Sequence, residues 1–287
     1  MRVLPYRRVW LAALLLMAFI GAACDMSLGH LAGRASDEWT RTYQLSPGGE
    51  IRIGNTNGKI EVDAADGSTV EVRAERIARA ATDDGARELL PRIVIKEDVK
   101  PDRIAIETDR MSGIMIGASF EVRYHVRAPK GAAVDVSNTN GSVSVRGIAG
   151  HVTARTTNGS VTTRDLTGPV DARTTNGSVN VDLATVKSAP IALRTTNGSV
   201  TLAVPDDARA DVSATWTNGG IRVSDGVKID VSERSRRRFQ GKMNGGGAPV
   251  ELHTTNGGIR IRSRSDAGEV KTDDEPAVLH DLRPRGQ

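Results

Sequence analysis

The triplet Thr-Asn-Gly occurs seven times in this 287-residue chain, with its asparagine at Asn57, Asn140, Asn158, Asn176, Asn197, Asn218 and Asn256. From Asn140 onward the intervals are 18, 18, 21, 21 and 38, and the first interval is 83. Self-similarity at so short a period restricts a chain to architectures built from repeated units. Alignment on the asparagine shows what the unit is. Six residues before it every copy has an aliphatic residue (Ile51, Val134, Val152, Val170, Ile191, Val212, Val250), and so does every copy three residues after it (Ile60, Val143, Val161, Val179, Val200, Ile221, Ile259). Position −4 is always apolar, and position +5 is aliphatic in six copies and Thr163 in the other. Apolar and polar residues thus alternate on both sides of the Asn-Gly, which is the period of a half-buried strand.

Two all-β folds satisfy this alternation. Asn-Gly is a strong two-residue hairpin signal, and a hairpin at each copy gives an antiparallel meander or sandwich. Alternatively each copy is one coil of a β-solenoid and the Asn-Gly is a corner, so that equal positions stack and the asparagines form a hydrogen-bonded ladder. Three features favour a right-handed β-helix-like solenoid whose coils have about the length of the shorter intervals, about 18–21 residues. A hairpin does not require threonine before every asparagine, whereas a stacked ladder rewards that sameness. Ile148 and Leu166 both lie eight residues past an asparagine, where a third side of a coil would bury them. The lengthening of the interval between later copies is what a bulge at one corner produces. On this reading the interval before Asn256 is about two coils with one unmarked, and the interval after Asn57 about four. A short helix is expected near residues 78–90, where alanines and leucines alternate with acidic residues, and the less regular N-terminal half is read as an end cap.

The termini differ from the repeat. Arg2, Arg7 and Arg8 precede an apolar run from Val9 to Ile20 and the small residues Gly21 to Ala23, the layout of a secretory signal over residues 1–23. Cys24, the only cysteine, follows at once and cannot form an intrachain disulfide. The arrangement resembles the bacterial lipoprotein signal, with Gly21 where that signal usually carries leucine, and it implies a lipidated Cys24. Residues 24–40 read as a tether, 41–265 as the β-repeat domain and 266–287 as a polar disordered tail. The expected location is the cell envelope, anchored to a membrane on its periplasmic or cell-surface side.

The recurrent Thr-Asn-Gly-Ser-Val, with Ser-Pro-Gly-Gly at 46–49 and Gly-Gly-Gly-Ala-Pro-Val at 245–250, resembles the bacterial putative-adhesin family. The resemblance covers most of residues 41–265. It implies a β-helix-like fold and an adhesin role, and it carries no catalytic residues.

Candidate chemistry is sparse. The five histidines are scattered without ligand spacing, so neither a metal site nor any other cofactor is expected. A net charge of +4 does not by itself imply nucleic acid. Asp135 and Asp171 share position −5 two coils apart, roughly 10 Å at the strand spacing, just beyond the separation of an inverting carboxylate pair, and both face outward beside Arg173, as a solvated charge lattice would. A polysaccharide-active enzyme on this scaffold is therefore the alternative to a binding protein, and an envelope-stress or signalling accessory is a third reading. Arg155, Arg173 and Arg194 form one outward column whose repulsion a bound anion would relieve. Arg234, Arg236, Arg237 and Arg238 form the densest basic run. These seven arginines are the candidate anion-binding residues. The expected partners are a membrane, through the lipid, and either an envelope protein or an anionic glycan. The preferred function is a non-enzymatic envelope lipoprotein that presents a β-solenoid binding surface.

Overall fold

The structure is a computed structural model that describes residues 32–109, 117–186 and 189–265. The signal, Cys24 and the tail lie outside these residues. β-branched residues dominate the repeat, and they favour a pleated, half-buried surface over a helix. The strands are β1 (Gly33–Gln44), β2 (Glu50–Asn57), β3 (Ile60–Ala65), β4 (Thr69–Ala80), β5 (Ile95–Lys100), β6 (Arg103–Thr108), β7 (Ser119–Pro129), β8 (Ala133–Asn140), β9 (Val143–Arg146) and β10 (Val152–Asn158). They continue as β11 (Val161–Leu166), β12 (Val170–Asn176), β13 (Val179–Leu183), β14 (Ile191–Asn197), β15 (Val200–Val204), β16 (Ala210–Val223), β17 (Ile229–Arg234), β18 (Arg238–Met243) and β19 (Ala248–Ser263).

Of the two candidate folds, the chain adopts the solenoid. Strand β10 pairs in parallel with β8 on one side and β12 on the other, Val152 opposite Val134 and Val170, and Asn158 opposite Asn140 and Asn176. The strands after each corner pair likewise, Val161 opposite Val143 and Val179. Each coil thus contributes one strand to each of two parallel sheets. The apolar columns at −6, −4, +3 and +5 point inward as one continuous core. Ile148 and Leu166 are fully buried on the third side.

The order of the coils in space departs from their order in the chain. The stack runs β6/β7, β2/β3, β8/β9, β10/β11, β12/β13, β14/β15, β19 and finally β16. The last coil in sequence is inserted between the Asn197 and Asn218 coils, and β6/β7 packs on the outer side of the Asn57 coil. This corrects both long intervals. The segment between Asn218 and Asn256 holds no unmarked coil but the antiparallel hairpin β17–β18, which covers the end of the first sheet. The segment between Asn57 and Asn140 holds one coil, together with β4 and β5, which pair antiparallel as end strands.

Two further expectations are revised. Strand β1 begins at Gly33 and pairs antiparallel with β4 along its whole length, so residues 33–40 of the expected tether are sheet. Inward-facing Gly33, Ala35, Asp37 and Trp39 alternate there with exposed Arg34, Ser36, Glu38 and Thr40, the period of a half-buried strand, so the segment pairs where a tether would hang free. The helix α1 spans only Asp83–Leu89, capped where the Thr82 side chain accepts from the Gly85 amide. The alanines at 78 and 80 belong to β4 instead, where Ala78 is buried in the core.

Candidate functional site

At each corner the asparagine side chains stack in the spatial order of the coils. Asn140 Nδ2 donates to Asn57 Oδ1 at 2.8 Å, Asn158 to Asn140 at 2.8 Å, Asn176 to Asn158 at 2.9 Å and Asn197 to Asn176 at 2.8 Å. Asn256 then donates to Asn197 and Asn218 to Asn256, each at 2.8 Å. An amide is suited to this because it carries donor and acceptor at equal reach. A second ladder, which the sequence reading missed, runs just inside the first. Position −2 is Asn138, Thr156, Thr174, Thr195 or Thr254, and each donates to the glycine carbonyl of the coil beneath. In the terminal coil this position is Trp216, buried with Phe239 and Met243 as a plug over the end of the core. The column was visible in the aligned copies as a polar residue at an inward-facing position.

The corner glycines are imposed by the stacking. Gly177 has φ +151°, and a Cβ there would lie 2.1 Å from the Gly159 carbonyl oxygen. Only glycine tolerates both the backbone conformation and that approach.

The outer face of the first sheet resolves the arginine column internally. Arg155 reaches Asp135 at 3.2 Å and Asp171 at 3.6 Å, Arg173 meets Asp171 at 2.7 Å, and Arg194 meets Glu251 at 2.7 Å. Carboxylates of the same coil (Asp171 for Arg173) and of neighbouring coils (Asp135 and Asp171 for Arg155, Glu251 for Arg194) already relieve the repulsion that a bound anion was expected to relieve. The Asp135/Asp171 pair has Arg155 between its members, in the space that a water and a sugar ring would need. Of the basic run, Arg238 lies 3.6 Å from Glu233. Arg234, Arg236 and Arg237 are exposed at the β17–β18 turn, which closes where the Ser235 amide donates to the Arg238 carbonyl. His125 lies 3.7 Å from Asp63, and no group of metal-ligating side chains occurs among the described residues.

The structure brings together a different pair. Position +4 is Arg260 in the penultimate coil and Arg222 in the terminal one, side by side on the outer face of the second sheet. Neither side chain has a hydrogen bond or ion pair to any described residue, whereas the arginines of the corresponding column on the first sheet, Arg155, Arg173 and Arg194, are all matched to carboxylates. Beside them lie Thr201 and Ser199 of the next coil, and the four residues line a shallow depression of about 370 Å³. Its floor is made by Gly220 and Gly258, at position +2, where the preceding coils carry Lys59, Ser142, Ser160, Ser178 and Ser199.

These two glycines are not required by the backbone. Neither has positive φ. A Cβ at Gly220 would meet nothing within 4 Å, and one at Gly258 would come no closer than 3.8 Å to the Gly220 carbonyl. Their effect is to clear side chains from the ground between the two guanidiniums. Two parallel guanidinium forks at about 4.8 Å spacing beside two hydroxyls suit a carboxylate, sulfate or phosphate group. Arg222 and Arg260 were missed because they lie in separate copies of the repeat, with the whole β17–β18 hairpin between them in the chain. The signal available was their shared position +4 together with Asn-Gly-Gly replacing Asn-Gly-Ser in those two copies.

The Toastrack DUF4097 family matches residues 98–262, more than half of the chain. Among curated proteins none matches. A solved structure of a putative cell adhesion protein from Clostridium sporogenes is similar at 9% identity and a TM-score of 0.44, over 79% of this chain and 100% of that one. A putative adhesin from Bacteroides fragilis is similar at 12% identity and a TM-score of 0.33, over 79% and 97%. A putative lipid binding protein from Parabacteroides distasonis is similar at 9% identity and a TM-score of 0.30, over 79% and 96%. With its parallel coils and the match over more than half of its length, this chain belongs to the Toastrack DUF4097 family.

Proposed function

We propose that this protein is a non-enzymatic, adhesin-like binding module of the cell envelope, whose solenoid presents an anion-binding surface at the end remote from its membrane anchor. The observation that carries the reading is the unmatched pair Arg222 and Arg260, set over a floor that two dispensable glycines keep clear. The ligand class is an anionic polymer bearing carboxylate, sulfate or phosphate groups. The direction of the stack supports the arrangement. Strand β1 starts at the β6/β7 end, and eight coils at about 4.8 Å spacing separate that end from Arg222 by roughly 34 Å. If Cys24 carries lipid, the nine residue steps to Gly33 reach at most about 30 Å, which holds the proximal end near the bilayer and turns the arginines outward.

The test is retention of the purified protein on a dextran sulfate column. The double variant Arg222→Gln/Arg260→Gln is expected to elute at clearly lower salt than both the wild type and Arg155→Gln/Arg173→Gln, which carries the same net charge. Gly220→Ser/Gly258→Ser restores the side chains of the other coils over the depression. It is expected to weaken retention without altering the melting temperature. Equal elution of all four proteins after allowing for net charge counts against the site.

A further inference from the structure

The solenoid has four sheet edges, two at each end, and antiparallel strands extend three of them. Strands β4 and β1 follow β7, β5 follows β6, and β18 and β17 follow the first half of β16. The second half of β16, residues 218–223, pairs only with β19 among the described residues. In interior coils the corner glycine amide and the +3 amide both donate to the next coil, as Gly177 does to the Asn197 carbonyl and Val179 to the Ser199 carbonyl. The matching groups in the terminal coil are the amides of Gly219 and Ile221, and no further coil follows them among the described residues.

The core is open at the same place. Every other member of the +3 and +5 columns is buried, whereas Ile221 and Val223 are only half-buried. On the outward side of this strand stands Arg222, with Arg260 behind it, and neither is paired with a carboxylate among the described residues. Unpaired backbone, uncovered aliphatic side chains and unmatched charge therefore coincide on one strand.

We infer that this edge receives an extended acidic peptide segment from a partner protein, which adds as a further strand to the second sheet. This deepens the anion-binding reading and rests on it. Residues of the added strand that face inward continue the Ile221 and Val223 columns and are apolar. Those that face outward lie beside Arg222 and are acidic, repeating the match that Asp135 and Asp171 make with Arg155. A second copy of this chain is disfavoured as the occupant, because edge-to-edge pairing would bring two Arg222/Arg260 pairs together without a counter-charge.

The experiment is fluorescence anisotropy of the purified full chain with a fluorescein-labelled hexapeptide of alternating glutamate and valine, with hexaglutamate as the control. Binding of the alternating peptide is expected to exceed that of hexaglutamate at least tenfold. It is expected to fall at least tenfold in Arg222→Glu and in Ile221→Pro. Proline removes an outward amide at an edge position, where it is tolerated, and exchanges the half-buried Ile221 side chain for a smaller apolar ring, and equal melting temperatures verify that the variant folds. Independently of any variant, added peptide slows hydrogen exchange at the Gly219 and Ile221 amides. Strand addition is overturned if Ile221→Pro binds the peptide like the wild type, or if those two amides are not protected. It is overturned in favour of self-pairing if the protein sediments as a dimer that Ile221→Pro dissociates. If strand addition fails while dextran sulfate retention still depends on Arg222 and Arg260, the anion-binding function stands alone.

Discussion

Replacing Gly177 by alanine tests whether the coils are locked at the Asn-Gly corner. The new Cβ would lie 2.1 Å from the Gly159 carbonyl oxygen, where ordinary contact begins at 3.4 Å. The shortfall is about a quarter of the ~4.8 Å spacing between strands. Opening the corner by this amount strains three bonds that close it. They run from the Gly159 amide to the Asn176 carbonyl at 2.9 Å, from the Thr174 hydroxyl to the Gly159 carbonyl at 2.8 Å, and from Asn176 Nδ2 to Asn158 Oδ1 at 2.9 Å. At about 1 kcal/mol each their loss costs about 3 kcal/mol. Holding alanine at φ +151° adds about 1–3 kcal/mol, for a total of about 4–6 kcal/mol. The control is Gly131→Ala, which meets nothing within 4 Å and has no positive φ. It is expected to be neutral or to stabilise by up to about 1 kcal/mol through the unfolded chain. Urea unfolding followed by circular dichroism distinguishes them, since with m about 3 kcal/mol/M the Gly177→Ala midpoint falls by roughly 1.3–2 M. A Gly177→Ala protein within about 1 kcal/mol of wild type would refute the reasoning.

Other consequences follow from single positions. Thr163 sits in the core between Val145 and Val181 with a buried hydroxyl that has no partner among the described residues, so Thr163→Val is expected to stabilise by about 1–2 kcal/mol in the same urea assay. Asn176 makes two ladder bonds and Asn218 one; Asn176→Ala is therefore expected to cost about twice as much as Asn218→Ala, about 2 against about 1 kcal/mol. In Asn176→Asp an ionised carboxylate faces the Asn158 oxygen, which raises its folded pKa. Its stability is then full below the unfolded pKa of about 3.9 and is lost as pH rises through the folded value, read as a melting temperature that falls with pH relative to wild type. Glu121 behaves oppositely. Burial pushes its carboxyl up, but Arg123 and Arg79 outweigh burial and hold it below the usual carboxylate range. Its contribution is present above the unfolded pKa of about 4.3 and is lost as pH falls through the folded value, so Glu121→Gln should flatten the acid limb of the melting curve.

The repeat alone determined the coil, its alternation and the columns that face inward, because stacking in register rewards equal residues at equal positions and leaves that sameness legible. The same rule made the asparagine ladder readable from Thr-Asn-Gly, and the inner ladder was readable at position −2. Spatial order was not. Nothing in the triplet at Asn256 says that it lies between Asn197 and Asn218, because every coil offers the same complementary edges and only the strands that cover the ends, β17–β18 at one and β1, β4 and β5 at the other, distinguish one arrangement. The site followed from that choice. Arg155, Arg173 and Arg194 are a conspicuous column in sequence, yet Asp135, Asp171 and Glu251 arrive beside them once the coils stack. Arg222 and Arg260 are inconspicuous and far apart in the chain, and they become neighbours because the β17–β18 hairpin leaves no coil between theirs, with no carboxylate paired to either among the described residues. Charge matching between coils depends on which coils touch, and that is a property of the tertiary fold.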